Sequence, residues 1–106
     1  MNAEVFDQMA ELKDKIDAVD ARVDNLAAKE DRKSATLCRA RILRFGDEIL
    51  HGVAHSKEHY DQILLDITDY SQYCDAHPDF VNHVTKHAKQ EIEDAYQRLL
   101  ETNGFL

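Results

Sequence analysis

Apolar residues recur at alternating intervals of four and three along the first quarter of the chain: Val5, Met9, Leu12, Ile16, Val19, Val23 and Leu26. That spacing is useful only to a helix that shares an apolar seam with another helix. Nearly every residue between the seam positions is polar, charged or Ala, so the segment cannot bury itself alone. The ladder therefore predicts a coiled-coil helix over residues 3 to about 29. Met9, Ile16 and Val23 take position a, and Val5, Leu12, Val19 and Leu26 take position d. β-Branched residues at a with Leu at d lean toward two parallel strands, while Val19 at d weakens that preference. In a parallel pair, Lys15 at g faces Asp20 at the following e.

The pattern then changes. The next seam positions hold Glu30 and Lys33, which predicts a hinge or an exit from the coiled coil. Apolar spacing resumes with Leu37, Ala40 or Arg41, and Ile42 to Phe45. Gly46 followed by Asp47 and Glu48 reads as a helix restart, because acids in a first turn suit the helix dipole; a continuous helix that tolerates the Gly is the alternative. A second amphipathic helix is expected from Asp47 to about Asp75. Ile49, Val53, Tyr60, Ile63, Ile67, Tyr70 and Cys74 fall within about 60° of one line at the helical period. His77-Pro78-Asp79 ends it, since a residue before Pro leaves helical geometry, and Asp79 is placed to cap the next helix. The third helix is expected from about Phe80 to Thr102, with Val81, Val84, Ala88, Ile92, Ala95 and Leu99 on one face and Asn103-Gly104 as its stop. The short turn makes an antiparallel hairpin. The fold class is all-α and oligomeric: a coiled-coil region over 1–33 and a helical hairpin domain over 34–106.

Composition agrees with long helices. The 106 residues include three Gly, one Pro and no Trp. The net charge of −8 disfavours nonspecific binding to nucleic acid or to an anionic membrane. The charge is uneven: residues 29–44 carry +4 and the rest −12. Either the basic segment pairs with acidic segments inside the oligomer, or Arg39, Arg41 and Arg44 form a docking site for an acidic partner or a small anion. No apolar run is long enough to span a bilayer and no signal peptide is evident, so a cytosolic protein, or one carried in a particle assembled there, is expected.

Candidate chemistry is sparse. Cys38 and Cys74 have neither metal-motif nor disulfide-framework spacing. Cys38 lies among basic residues that would lower a thiol pKa, with a packed or simply exposed thiol as the plainer reading. His51, His55 and His59 are spaced i, i+4, i+8, and His83 and His87 repeat the i, i+4 step. On the expected helices both sets project opposite the apolar stripes and belong to solvated faces, so no metal and no cofactor is assigned. No nucleophile triad, phosphate loop or HExxH occurs, and no enzyme activity is expected. The face formed by Asp47, His51, His55, His59, Asp66 and Tyr73 is the first candidate binding surface, and Arg39, Arg41 and Arg44 the second. Phe105-Leu106 is expected to cover the hairpin end or a neighbouring subunit.

The stretch Arg41-Ile42-Leu43-Arg44-Phe45-Gly46-Asp47-Glu48-Ile49-Leu50, continued by His55-Ser56-Lys57-Glu58-His59-Tyr60-Asp61, resembles a family of small helical accessory proteins of tailed phages and prophages of Gram-positive bacteria. Tyr70 to Phe80 and the ending Asn103-Gly104-Phe105-Leu106 are similar to the same pattern. The resemblance implies a non-enzymatic structural or accessory role, near tail or lysis functions, in the host bacterial cytoplasm or on the virion. Expected partners are a second copy of the chain and a phage or host protein. The competing expectation is an inhibitor of host defence, binding a defence protein or sequestering a small anionic nucleotide signal.

Overall fold

The structure is a computed structural model and describes residues 3–80 and 83–106. It is all-α, with no strand among the described residues. Helix α1 spans Ala3–Leu50, α2 spans Lys57–Ala76, a 3-10 turn covers His83–Thr85, and α3 spans Lys86–Thr102. The chain divides into two compact units, Met1–Lys33 and Ser34–Leu106.

The first unit is helical throughout its described residues, and all of them are exposed. The heptad residues from Met9 to Leu26 are 52–61% exposed. Glu30 and Lys33 do not interrupt the helix; α1 passes through them. The polar residues end the apolar ladder there without ending the helix, because none of residues 29–34 is a glycine or proline.

The second unit carries the core. Ala35, Cys38, Ile42 and Phe45 of α1 are buried against Tyr60, Ile63, Ile67, Tyr70 and Cys74 of α2 and Ile92 and Ala95 of α3. On α1 and α2 the spacing is close to one residue per turn, which keeps one stripe turned inward. Leu37 and Leu43 stay exposed on α1.

Helix boundaries differ from the sequence expectation, first around Gly46 and Gly52. Gly46 is not a restart; it lies inside α1. A Cβ there would stand 2.8 Å from the Cβ of Ala88, so the glycine permits a close approach of α1 and α3. Helix α1 instead ends at Leu50. Gly52 adopts φ +77°, Gly52 N–H donates to Ile49 O at 3.0 Å, and Val53 N–H donates to Glu48 O at 2.9 Å. These two bonds and the left-handed Gly form a Schellman stop. Helix α2 starts afresh at Ser56, whose hydroxyl accepts from the His59 N–H at 3.2 Å. The expected single helix over 47–75 is thus two elements joined by a loop. Val53, assigned to the apolar stripe, sits in that loop and is 46% exposed.

The third helix begins at Lys86, after the 3-10 turn, so Asp79 does not cap it. Val84 is exposed rather than in the core, and Val81 lies outside the described residues. The stop at Asn103 is as read: Asn103 is left-handed at φ 50° and Gly104 N–H donates to Leu99 O. The chain then folds back. Phe105 lies with its ring centroid 5.6 Å from that of Tyr60 and 5.7 Å from that of Tyr96, and Leu106 N–H donates to His55 O at 3.2 Å. The tail therefore covers the end of its own helical unit.

Candidate functional site

A groove of about 300 Å³ runs between the C-terminal half of α1 and the first half of α2. Arg41, Arg44, Phe45 and Glu48 line it from α1, and His59, Gln62, Ile63 and Asp66 line it from α2. His55, from the intervening loop, closes one end. The stop at Gly52 and the Ser56 cap make this possible: they turn the chain so that a loop residue faces both helices.

The centre of the groove is an ion pair. Arg41 Nε lies 2.8 Å from Asp66 Oδ2, and its Nη2 donates to Asp66 Oδ1 at 3.3 Å and to the Cys38 sulfur at 3.3 Å. Gln62 adds a longer bond to Asp66 Oδ1 at 3.4 Å. The Asp66 side chain is only 6% exposed, so the two-pronged guanidinium contact supplies the partners that a buried carboxylate needs. The hydrogen bond to Asp66 holds the Arg41 pKa above its usual value despite partial desolvation. Cys38 follows the plainer of its two readings, a packed thiol, and not the lowered pKa that basic neighbours would give. Burial, followed by the Asp66 charge, raises its thiol pKa and outweighs Arg41. The thiol therefore stays protonated and is a packing group.

The rim is a second polar chain. Arg44 Nε donates to Glu48 Oε1 at 3.0 Å, one helical turn away. Glu48 Oε2 is 3.2 Å from His55 Nε2. The two are out of hydrogen-bond alignment, and that buried nitrogen makes no hydrogen bond. The His55 ring is stacked on Phe45 at 4.0 Å between centroids, with the Tyr60 ring edge-on at 6.0 Å. Two arginines thus face two carboxylates, and the groove is charge-balanced.

The two surfaces drawn from the sequence are regrouped by the fold. Arg41 and Arg44 join His55, His59 and Asp66 in one groove. Asp66 corrects the outward-face reading: it is 4% exposed as a residue and serves Arg41. His51, His55 and His59 do not share a helix face, because α1 ends before them. Asp47 and His51 are exposed and pair with each other, His51 Nδ1 standing 2.8 Å from Asp47 O and 3.5 Å from Asp47 Oδ1. Tyr73 is also elsewhere. It stacks on His77 at 4.0 Å and meets Phe80 edge-on at 5.0 Å. Arg39 lies over the other participant in that group, its guanidinium carbon 5.1 Å from the Phe80 ring centre. Arg39, Arg41 and Arg44 thus each have a partner within the same unit: the Phe80 ring, Asp66 and Glu48.

Phe45, Glu48, Gln62 and Ile63 are groove residues that sequence reading did not select. The Arg44–Glu48 step of four was legible as a helical ion pair. Nothing local connects Arg41 to Asp66.

A second, more polar cleft of about 450 Å³ lies between α2 and the start of α3, with Ser71, Cys74, Asp75, His83, Lys86 and Lys89 among its walls. Among the described residues no group of three or more His, Cys, Asp or Glu side chains is placed to hold a metal ion. Among the same residues, no helix is long and apolar enough to cross a membrane.

No family model, curated protein or solved structure matches the chain.

Proposed function

We propose that this is a non-enzymatic binding protein that works as an oligomer. Residues up to Lys33 assemble the chain, and the unit Ser34–Leu106 presents the Arg41–Phe45–His55–Ile63 groove to a phage or host protein. The resemblance to phage accessory proteins supplies the phage setting of this reading. The observation that carries it is the exposure of the heptad seam, with Met9 to Leu26 at 52–61% in the isolated chain. Fully burying an aliphatic side chain is worth about 1.5–3 kcal/mol, so a ladder of them left in water is a strong driving force for assembly.

The groove suits a protein ligand better than a small anion. Phe45, His55 and Ile63 give it an apolar floor, while Arg41 and Arg44 are held by Asp66 and Glu48. Sequestration of a nucleotide signal would need arginines released from these acids, so binding a host-defence protein is the version of the inhibitor reading that fits better.

Light scattering on the full chain and on a fragment starting at Ser34 tests the assembly. The full chain is expected to be oligomeric and the fragment monomeric and still helical. A monomeric full chain, or the same oligomer in both, refutes the assignment of assembly to the heptad region.

A further inference from the structure

We infer that the heptad helix pairs with a second copy of this chain as a parallel, in-register, two-stranded coiled coil; this rests on the assembly reading above and specifies its partner. The seam from Met9 to Leu26 faces solvent along its whole length. Ile16 and Val23 at a with Leu12 and Leu26 at d is the combination that favours two strands, and Val19 at d is the residue that works against it.

Charge placement around the seam decides the direction. The flanking e and g positions hold Lys13, Lys15, Asp20, Arg22 and Lys29, whereas Asp7, Glu11, Asp14, Asp17 and Asp24 lie away from the seam. The helix is therefore basic beside its seam and acidic on its back, and two copies must bring basic flanks together. In a parallel pair each g residue faces the e residue five positions later in its partner. Lys15 then faces Asp20 on both sides of the seam. Gln8 faces Lys13, Arg22 faces Ala27, and no like charges meet. In an antiparallel pair with a against d, g faces g and e faces e. Lys15 would face Arg22 twice, which cancels the two Lys13–Asp20 contacts. Only the parallel arrangement turns Asp20, the one acid among these flanks, into net attraction. Chain order then brings both copies of Ser34 to the same end of the seam, and one dimer carries two copies of the groove.

The test is disulfide trapping in the full chain. A Met9→Cys variant and a Leu26→Cys variant are oxidised separately and as a mixture of differently tagged chains. Cys38 and Cys74 are buried, so the wild-type chain is the control. In a parallel pair each variant is expected to link to itself, because equivalent positions lie within the roughly 7 Å that a disulfide needs. In an antiparallel pair equivalent positions at residue 9 are about 25 Å apart. Linking only in the mixture overturns the direction and leaves assembly standing. A mass above two chains by light scattering overturns the strand number. A monomer, as expected if the basic-flanked seam awaits an acidic helix of another protein, overturns both this inference and the assembly reading. Asp20→Lys is expected to weaken the dimer about tenfold, with Lys15→Asp in the same chain restoring it; an unchanged dissociation constant removes the charge argument.

Discussion

Gly46 of α1 and Ala88 of α3 meet so closely that a β-carbon on the glycine would stand 2.8 Å from that of the alanine and 3.0 Å from its Cα. The glycine is thus a contact surface inside an uninterrupted helix. By intrinsic propensity, Ala would be about 1 kcal/mol better than Gly in a helix interior. The packing decides otherwise, because neither backbone can yield alone.

Gly46→Ala is therefore expected to destabilise the chain by about 1–3 kcal/mol, as overpacked core sites do. For a unit of this size, that lowers the melting temperature by roughly 5–20 °C. Thermal unfolding followed by helical circular dichroism reads it. A rise in melting temperature would show that propensity wins and that the approach of α1 to α3 is looser than described.

Gly52→Ala acts through conformation instead. Nothing lies within 4 Å of the added carbon, but φ of +77° strains any L side chain. A loss of about 1 kcal/mol is expected, and Gly52→Asn should lose less, since Asn tolerates the left-handed region better. Equal effects of Ala and Asn would mean that the Schellman stop does not hold α1 in place.

Arg41→Ala and Arg44→Ala separate a structural charge from a surface one. Removing Arg41 leaves Asp66 buried with weaker partners, and a loss of about 1–3 kcal/mol is expected. Arg44 is 84% exposed, and its removal should change stability by less than about 0.5 kcal/mol. Denaturant midpoints measure both. If the two variants are equal, the ion pair to Asp66 contributes no more than an exposed one.

Stability should fall in alkaline solution. Burial raises the pKa of Cys38 above 9.0 and those of Tyr60 and Tyr70 above 10.0. An acid whose folded pKa exceeds its unfolded value holds its proton longer when folded. Its stabilising effect is complete below the unfolded value and is lost as pH rises toward the folded one. The midpoint in urea is therefore expected to be level from pH 7 to about 8.5 and to drop between about 9 and 11. Tyr60→Phe should flatten the upper part of that drop. A midpoint unchanged through pH 11 would contradict the burial of these groups.

Phe105→Ala removes the ring that packs beside Tyr60 and Tyr96 at the end of the helical unit. The half-buried site makes a loss of about 1–3 kcal/mol the expected outcome. Amide exchange would locate the effect, with faster exchange at Leu106, whose N–H donates to His55 O. A tail that can be truncated without cost belongs to a different contact.

Periodicity made much of the architecture legible. The all-α class, the inward stripe Tyr60–Ile63–Ile67–Tyr70–Cys74, the burial of Ile92 and Ala95, and the stop at Asn103 follow from local spacing and local backbone preferences. The errors occurred where one signal had two uses. Gly46 and Gly52 are six residues apart, and either can end a helix. Only contact with Ala88 explains why the first does not, and only the left-handed φ of Gly52 shows that the second does. The candidate site suffered directly. With the second helix expected to run unbroken from Asp47 through Gly52 to about Asp75, the three histidines seemed to share a face and Asp66 seemed to point outward.

What the sequence by itself determined is therefore the set of faces: which side of each helix is apolar, where the seam lies, and how charge is arranged beside it. Those properties depend on residues within a turn or two of one another. The tertiary structure alone decided which charges are spent internally and which surfaces become one site. Arg41 and Asp66 are far apart in sequence and meet because α1 and α2 bury their stripes together. His55 reaches Phe45 because a loop, and not a helix, carries it there. Such pairings depend on how helices dock, and the spacing of residues along any one helix does not contain that information.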